Sequence, residues 1–365
     1  MKQGNAILSG YGTTVFEVMS GLAREYQSIN LGQGFPDDPG PEDVRRAAAD
    51  FVMNGHNQYP SMMGIPELRQ AVARHNRRFY GLDIDWQSEV MVTSGATEAL
   101  ADCLFGLIEP GGVPRLVRIE PPNWELPREA LAAAFSDRTK LLLLNSPMNP
   151  CSKVFDEEEL RFIAGLLEKH DAYAVCDEVY EHLVFDGRRH VPLMTLPGMR
   201  ERCARIGSAG KTFSVTGWKI GYITAAPALM KPIAKTHQFI TFTTPPNLQF
   251  AASVGLNKDD GYFESLASDM QAKRDRLSKG LAEIGFGVLR ADGTYFVTTD
   301  FRPLGFNGTD EEFCRHITVE AGVTAVPVSA FYQQDGPLHF ARFCFCKNDS
   351  TLDGALERLA RHFRR

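Results

Sequence analysis

A lysine set among small and hydroxyl residues, Ser208-Ala209-Gly210-Lys211-Thr212-Phe213-Ser214, with Lys219 eight residues on, is the stretch of this sequence best equipped for covalent chemistry. An amine in a crevice beside another cation loses proton affinity through desolvation and like charge, which frees its lone pair to form an imine with an aldehyde. Ser208 and Lys219 then suit a phosphate, one through its hydroxyl and the other as a point charge. In Asp177-Glu178-Val179-Tyr180 the aspartate ends an apolar run. It is expected to be buried and to need a cation, either a protonated pyridine nitrogen or an arginine elsewhere in the fold. Ser94-Gly95-Ala96-Thr97 opens a helix whose first N–H groups can hold a phosphate, although an ordinary Ser/Thr cap has the same sequence. Asn145-Ser146-Pro147-Met148-Asn149-Pro150 contains two X-Pro steps, which enforce an extended turn able to aim an amide into a crevice.

These groups follow runs of strand length. The strands are expected at Glu89 to Thr93, Leu116 to Ile119, Lys140 to Leu144, Ala172 to Cys176, Cys203 to Ile206 and Gly221 to Ala225, nearly all β-branched or aliphatic, as in strands covered on both faces. Helical stretches alternate with them, among them Thr97 to Ile108 and Glu157 to His170, the latter with Asp156 as N-cap. The class is therefore α/β, and ligands of such sheets bind beyond the carboxyl ends of the strands. From about Tyr262 the pattern changes to a long charged helix (Ser265 to Ile284), strands with hairpin-like turns and a terminal helix. The expected division is a large domain over 41–261 and a smaller α+β domain over 262–365, completed by the segment 1–40.

Composition narrows the classes further. With 365 residues, 44% hydrophobic and 23% charged, the chain has enough apolar content for a large core. A net charge of -6 without basic blocks argues against nucleic acid as a partner. The longest aliphatic run, Leu141 to Leu144, is far too short for a bilayer, and the opening MKQGNAILSG has no signal-like apolar core. Seven cysteines without a C-x-x-C pair fit reduced thiols better than a disulfide framework or a zinc site, so a cytoplasmic protein with no metal is expected. Cys344 and Cys346 alternate along a probable strand and read as core.

Several separated motifs carry a resemblance: GTTVF (12 to 16), NLGQGFPD (30 to 37), NQYPSMMG (57 to 64), TSGATEAL (93 to 100), NSPMNP (145 to 150), CDEVYEHL (176 to 183), GSAGKTFSVTGWKIGY (207 to 222), GTYF (293 to 296) and ARFCF (341 to 345). In this order and spacing the chain resembles the fold-type I, class I/II aminotransferases that use pyridoxal 5'-phosphate (PLP), most of all the kynurenine, glutamine and methionine aminotransferase branch. The resemblance implies a large, mostly parallel sheet of the seven-stranded type with a smaller α+β domain. It also implies that Lys211 is the Schiff-base lysine and the proton carrier, and that Asp177 pairs with the pyridinium nitrogen. Tyr180 and Asn149 would bond the ring's phenolic oxygen, Ala96, Thr97, Ser208 and Lys219 the phosphate, with Tyr59 reaching in from a second subunit of a homodimer. Arg342 would clamp the substrate carboxylate, helped by Asn149 and the Gly34 backbone, while Phe16, Tyr59, Tyr295 and Phe242 would line an aromatic side-chain pocket. The implied reaction moves an amino group from an L-amino acid, of aromatic, sulfur-containing or glutamine-like type, to a 2-oxo acid. β-Elimination from cysteine conjugates is the alternative on the same scaffold.

The chain departs from the family at one place. It runs from Glu109-Pro110 through Gly111-Gly112 straight into Val113-Pro114-Arg115-Leu116, so that a strand, a helix and the aromatic residue that stacks on the PLP ring are missing, on the order of 20 residues. Three accounts compete: an omitted stretch in a continuously numbered chain, a real deletion with another aromatic substituting, and a real deletion that leaves an inactive PLP-binding protein. The first is favoured, because removing a strand exposes apolar faces and unpaired ladder groups. An intact mass of 40.5 kDa would eliminate it.

Overall fold

The computed structural model describes residues 4–5 and 8–364, so residues 1–3, 6 and 7 of the expected 1–40 segment and the final residue of the 262–365 segment lie outside the description. In chain order the strands are β1 (Ile29–Asn30), β2 (Val90–Ser94), β3 (Leu141–Asn145), β4 (Tyr173–Asp177), β5 (Cys203–Ser208), β6 (Ile220–Ala225), β7 (Gly287–Val288), β8 (Phe296–Asp300), β9 (Val323–Thr324), β10 (Val326–Pro327) and β11 (Phe340–Cys344). Strands β2 to β6 form the central sheet in the order β2-β6-β5-β4-β3. The β3–β4 and β4–β5 pairings are parallel and β6 is antiparallel to β2 and β5, so four strands point one way and one points back.

Every residue of β5 and β6 is buried, and alternate side chains feed two different layers. Val175, Ile206 and Ile223 pack with Ala99, Cys103, Met230 and Ile233 of the helices Gly95–Leu107 and Pro227–Ile240. On the other face Ala174, Cys176 and Cys203 meet Leu160, Ile163 and Leu167 of helix Glu157–Lys169. That helix begins as its sequence demands. Asp156 accepts the Glu159 N–H at 2.8 Å and Glu159 accepts the Asp156 N–H at 3.1 Å, a reciprocal capping box.

A second, antiparallel sheet has the order β10-β11-β8-β7. Helices Asp260–Ile284 and Asp349–Phe363 pack with it around Leu277, Leu281, Phe313, Phe343 and Leu352. The first of these helices starts earlier than the expected Ser265, because Asp259 caps it by accepting the Tyr262 N–H at 3.1 Å. Strand β1 pairs in parallel with β9, Ile29 opposite Val323, which ties the N-terminal segment to this part of the molecule.

One expected strand is not formed. Leu116 to Ile119 runs as irregular chain with Leu116 64% exposed, because a strand needs a neighbour and the chain has none to offer at that place. The sheet therefore holds five of the six expected strands, and it ends at β3, whose outer side is unpaired and whose Leu143 is 50% exposed. Among the described residues, no helix is long and apolar enough to cross a membrane.

Candidate active site

The strand ends converge. Asn145 lies opposite Asp177, Ser208 opposite Gly221 and Ser94 opposite Ile220, so the carboxyl ends of β2 to β5 and the start of β6 share one edge. Beyond that edge is a cavity of about 390 Å³, lined by the expected Ala96, Thr97, Asn149, Asp177, Tyr180, Ser208, Lys211 and Lys219. Glycine makes the phosphate-sized corner possible. Gly95 has φ +71, and a Cβ there would lie 3.3 Å from the Lys219 Nζ; a Cβ on Gly221 would fall 2.5 Å from the Gly95 carbonyl carbon. Ser208 ends β5 and accepts the Gly210 N–H at 3.2 Å, which turns the chain into the short helix Ala209–Thr212 that carries Lys211.

Lys211 Nζ donates to Tyr295 Oη at 2.9 Å, and that hydroxyl donates to the Gly34 carbonyl at 2.5 Å. Burial pulls the lysine below its ordinary pKa, and Lys219 acts in the same direction, against the thiols of Cys346 and Cys344 and the Asp177 carboxylate. Burial pushes Asp177 up to about 6, opposed by the Val179 N–H and by Lys211. The tyrosine rings of Tyr180 and Tyr295 meet edge to face, centroids 5.0 Å apart.

Arg342, 1% exposed, donates to Asn149 Oδ1 at 2.7 Å and to the Gly32 carbonyl at 2.8 Å, while its Nε has no partner. Its guanidinium lies 3.9 Å from the Phe296 ring centroid, 4.9 Å from that of Phe331 and 5.5 Å from that of Phe16. Burial lowers it to about 10. Among the described residues it makes no ion pair, so it is not the surface salt bridge that an isolated arginine would suggest.

Two expected residues stand apart. Tyr59 is 84% exposed and Phe242 43%, and they pack on each other with centroids 5.9 Å apart, outside the cavity. Arg342 rests on the Gly32 carbonyl, and Gly34, whose backbone is expected to help hold the substrate carboxylate, has its carbonyl bonded by Tyr295. Sequence reasoning missed Asn145, which donates to the Asp177 carbonyl at 2.9 Å and accepts the Asn149 N–H at 2.8 Å. Its place at a strand end was the available signal. It missed Phe296 beneath Arg342, for which only adjacency to Tyr295 hinted at a role.

The residues suit PLP on chemical grounds. Lys211 is a desolvated amine, Asp177 is a half-buried, desolvated carboxylate without an ion pair among the described residues, and the same cavity carries a hydroxyl, an ammonium and a helix N-terminus suited to a phosphate.

Known proteins agree. The family model for aminotransferase class I and II matches residues 26–114 and 110–359. The two stretches meet where the chain passes from Pro110 to Val113, and as the full sequence has 365 residues the gap belongs to the chain itself, against the expectation of an omitted stretch. The probable N-succinyldiaminopimelate aminotransferase of Mycobacterium tuberculosis is 40% identical over 385 residues, 97% of each chain, an alignment longer than the 365 residues present here. Its solved structure has TM-score 0.95, with 98% of this chain and 99% of that one covered. The methionine aminotransferase of Escherichia coli is 36% identical with 95% of each chain covered, and the kynurenine–oxoglutarate transaminase of Dictyostelium discoideum is 36% identical with 96% and 94% covered. With this cavity and these relatives, the chain belongs to the class I and II aminotransferases: it is a fold-type I, PLP-dependent transaminase acting on small amino and oxo acids.

Proposed function

We propose that the amino donor is an L-amino acid with an apolar, aromatic, sulfur-containing or glutamine-like side chain and that the acceptor is a 2-oxo acid such as oxoglutarate. The observation that carries this reading is Arg342, a buried cation without an ion pair among the described residues, set among the rings of Phe16, Phe296 and Phe331. The guanidinium binds the α-carboxylate, and the surrounding rings favour an apolar remainder. Among the described residues the cations lining the cavity are Lys211 and Lys219, and Arg342, held to its wall through Asn149, is the one guanidinium assigned to a carboxylate, which leaves a second carboxylate on the donor without a matching fork.

When bound, PLP supplies an aldehyde and a ring that withdraws electrons from the substrate α-carbon. The chain's own groups do the rest. Tyr295 accepts a proton of Lys211 Nζ in a hydrogen bond and so orients it, and burial keeps that nitrogen able to give up and regain a proton at the α-carbon. With the cofactor bound, Asp177 would pair with the pyridinium, Tyr180 and Asn149 would bond the phenolic oxygen, and Ala96, Thr97, Ser208 and Lys219 would hold the phosphate. Asn149 also holds Arg342 in place.

We further propose a cytoplasmic homodimer in which the exposed Tyr59 serves the partner's site, Phe242 bracing it, and a division into 41–261 and 262–365 with 1–40 joined to the second part, supported by the β1–β9 pairing. The decisive experiment loads the protein with PLP, reduces it with borohydride and maps the pyridoxyl group. It is expected on Lys211 and lost in Lys211→Ala; a label on any other lysine overturns the assignment. A panel of methionine, kynurenine, glutamine, N-succinyldiaminopimelate and aspartate with oxoglutarate then ranks donors, and aspartate turning over fastest would refute the specificity.

A further inference from the structure

His237 is completely buried near the end of helix Pro227–Ile240, outside the residues assigned above. Both of its ring nitrogens face acceptors: Nδ1 lies 2.9 Å from Glu98 Oε1 and 3.6 Å from Asp102 Oδ2, and Nε2 lies 2.9 Å from the Met62 carbonyl. A neutral imidazole has one N–H, so either tautomer would point a lone pair at an oxygen; only the imidazolium satisfies the geometry. The charged groups facing it are Glu98 and Asp102, both on helix Gly95–Leu107, and the loop at Met62 contributes only its carbonyl. Asp102 is fully buried, and among the described residues neither of its oxygens has a hydrogen-bond partner within 3.5 Å; burial raises its pKa, and His237 at 3.6 Å acts against that.

Of the three segments joined here, one starts the helix that lines the cofactor cavity, and the other two carry Tyr59 and Phe242, which the proposed function assigns to the partner's site. Glu98 accepts the Ser94 N–H with its other oxygen, which fixes the start of the helix whose first turn lines the cavity. Met62 belongs to the loop that carries Tyr59. The His237 carbonyl accepts the N–H groups of Thr241 at 3.2 Å and Phe242 at 2.8 Å. We infer that His237, as an imidazolium, is a positioning residue that locks the phosphate-binding helix start to the Tyr59 and Phe242 wall, and that losing its proton loosens cofactor binding. The inference rests on the proposal that this helix start holds the PLP phosphate.

Burial alone would lower His237, but the hydrogen bonds and charges of Asp102 and Glu98 outweigh it and raise the group from 6.5 to about 9. The raised value means that its contribution is complete below pH 6.5 and fades as pH rises through about 9. Pyridoxamine 5'-phosphate is the suitable probe, since it binds without bonding to Lys211. Its dissociation constant, followed by protein fluorescence, is expected to weaken about tenfold across that transition in the wild type. His237→Gln, which cannot be charged, should be about tenfold weaker at neutral pH and lack the transition. Asp102→Asn should keep wild-type affinity at pH 6.5 while its transition moves to lower pH, a shift that a merely structural role would not produce. Equal affinities and equal pH profiles in folded wild type and His237→Gln overturn the inference alone. Failure of the wild type to bind the probe overturns the phosphate assignment and the inference with it. A stoichiometric divalent metal at Glu98, Asp102 and His237, whose removal abolishes the transition, would overturn it in favour of a metal site.

Discussion

At the scale of single residues, the chemistry was readable wherever a polar group ended an apolar run. Asp177 and Ser208 close their strands and Lys211 follows within a few residues, so sequence order alone placed them in one crevice. The contacts that tune them were not readable. Tyr295 reaches Lys211 from 84 residues away, and the Gly32 carbonyl meets Arg342 from 310 residues away, because such pairings depend on how the second sheet sits against the first. Arg342 gives the sharpest test at this scale. Lysine there keeps the charge but loses the planar fork and the stacking on Phe296. Arg342→Lys should lower kcat/KM by roughly thirtyfold, about 2 kcal/mol, mostly through KM. An unchanged KM for the amino donor would place the carboxylate elsewhere.

At the scale of elements, local signals succeeded where local physics decides. Asp156 with Glu159 three residues later announced a helix start, and the structure has both reciprocal bonds. Asp156→Ala removes one of them and should cost about 1 kcal/mol, seen as a fall in Tm of roughly 2 °C. No change would mean that packing of Leu160 and Ile163 alone sets where the helix begins. Leu116 to Ile119 shows the opposite case. Its composition suits a strand, but pairing is a property of two segments, and propensity says nothing about whether the second exists.

For the whole molecule the same gap has the larger effect. The sheet stops at β3, four leucines followed by Asn145, with outward-facing ladder groups unpaired and Leu143 half exposed at the wall of the cofactor cavity. A flat apolar edge of this kind invites association with other chains and leaves one side of the cavity without cover. Relatives align over more residues than this chain has, and the family model breaks at 110–114, so the missing cover corresponds to sequence that they possess. Inserting between Gly111 and Gly112 the corresponding segment of the Mycobacterium tuberculosis relative, on the order of 20 residues, should supply β3 with a neighbour. The amides of β3 that face outward should then exchange hydrogen slowly, Tm should rise by about 5 °C or more, and PLP should dissociate more slowly. If β3 is already protected in the present chain, a second copy or a rearranged 113–120 segment must cover that edge, and the insertion would gain nothing.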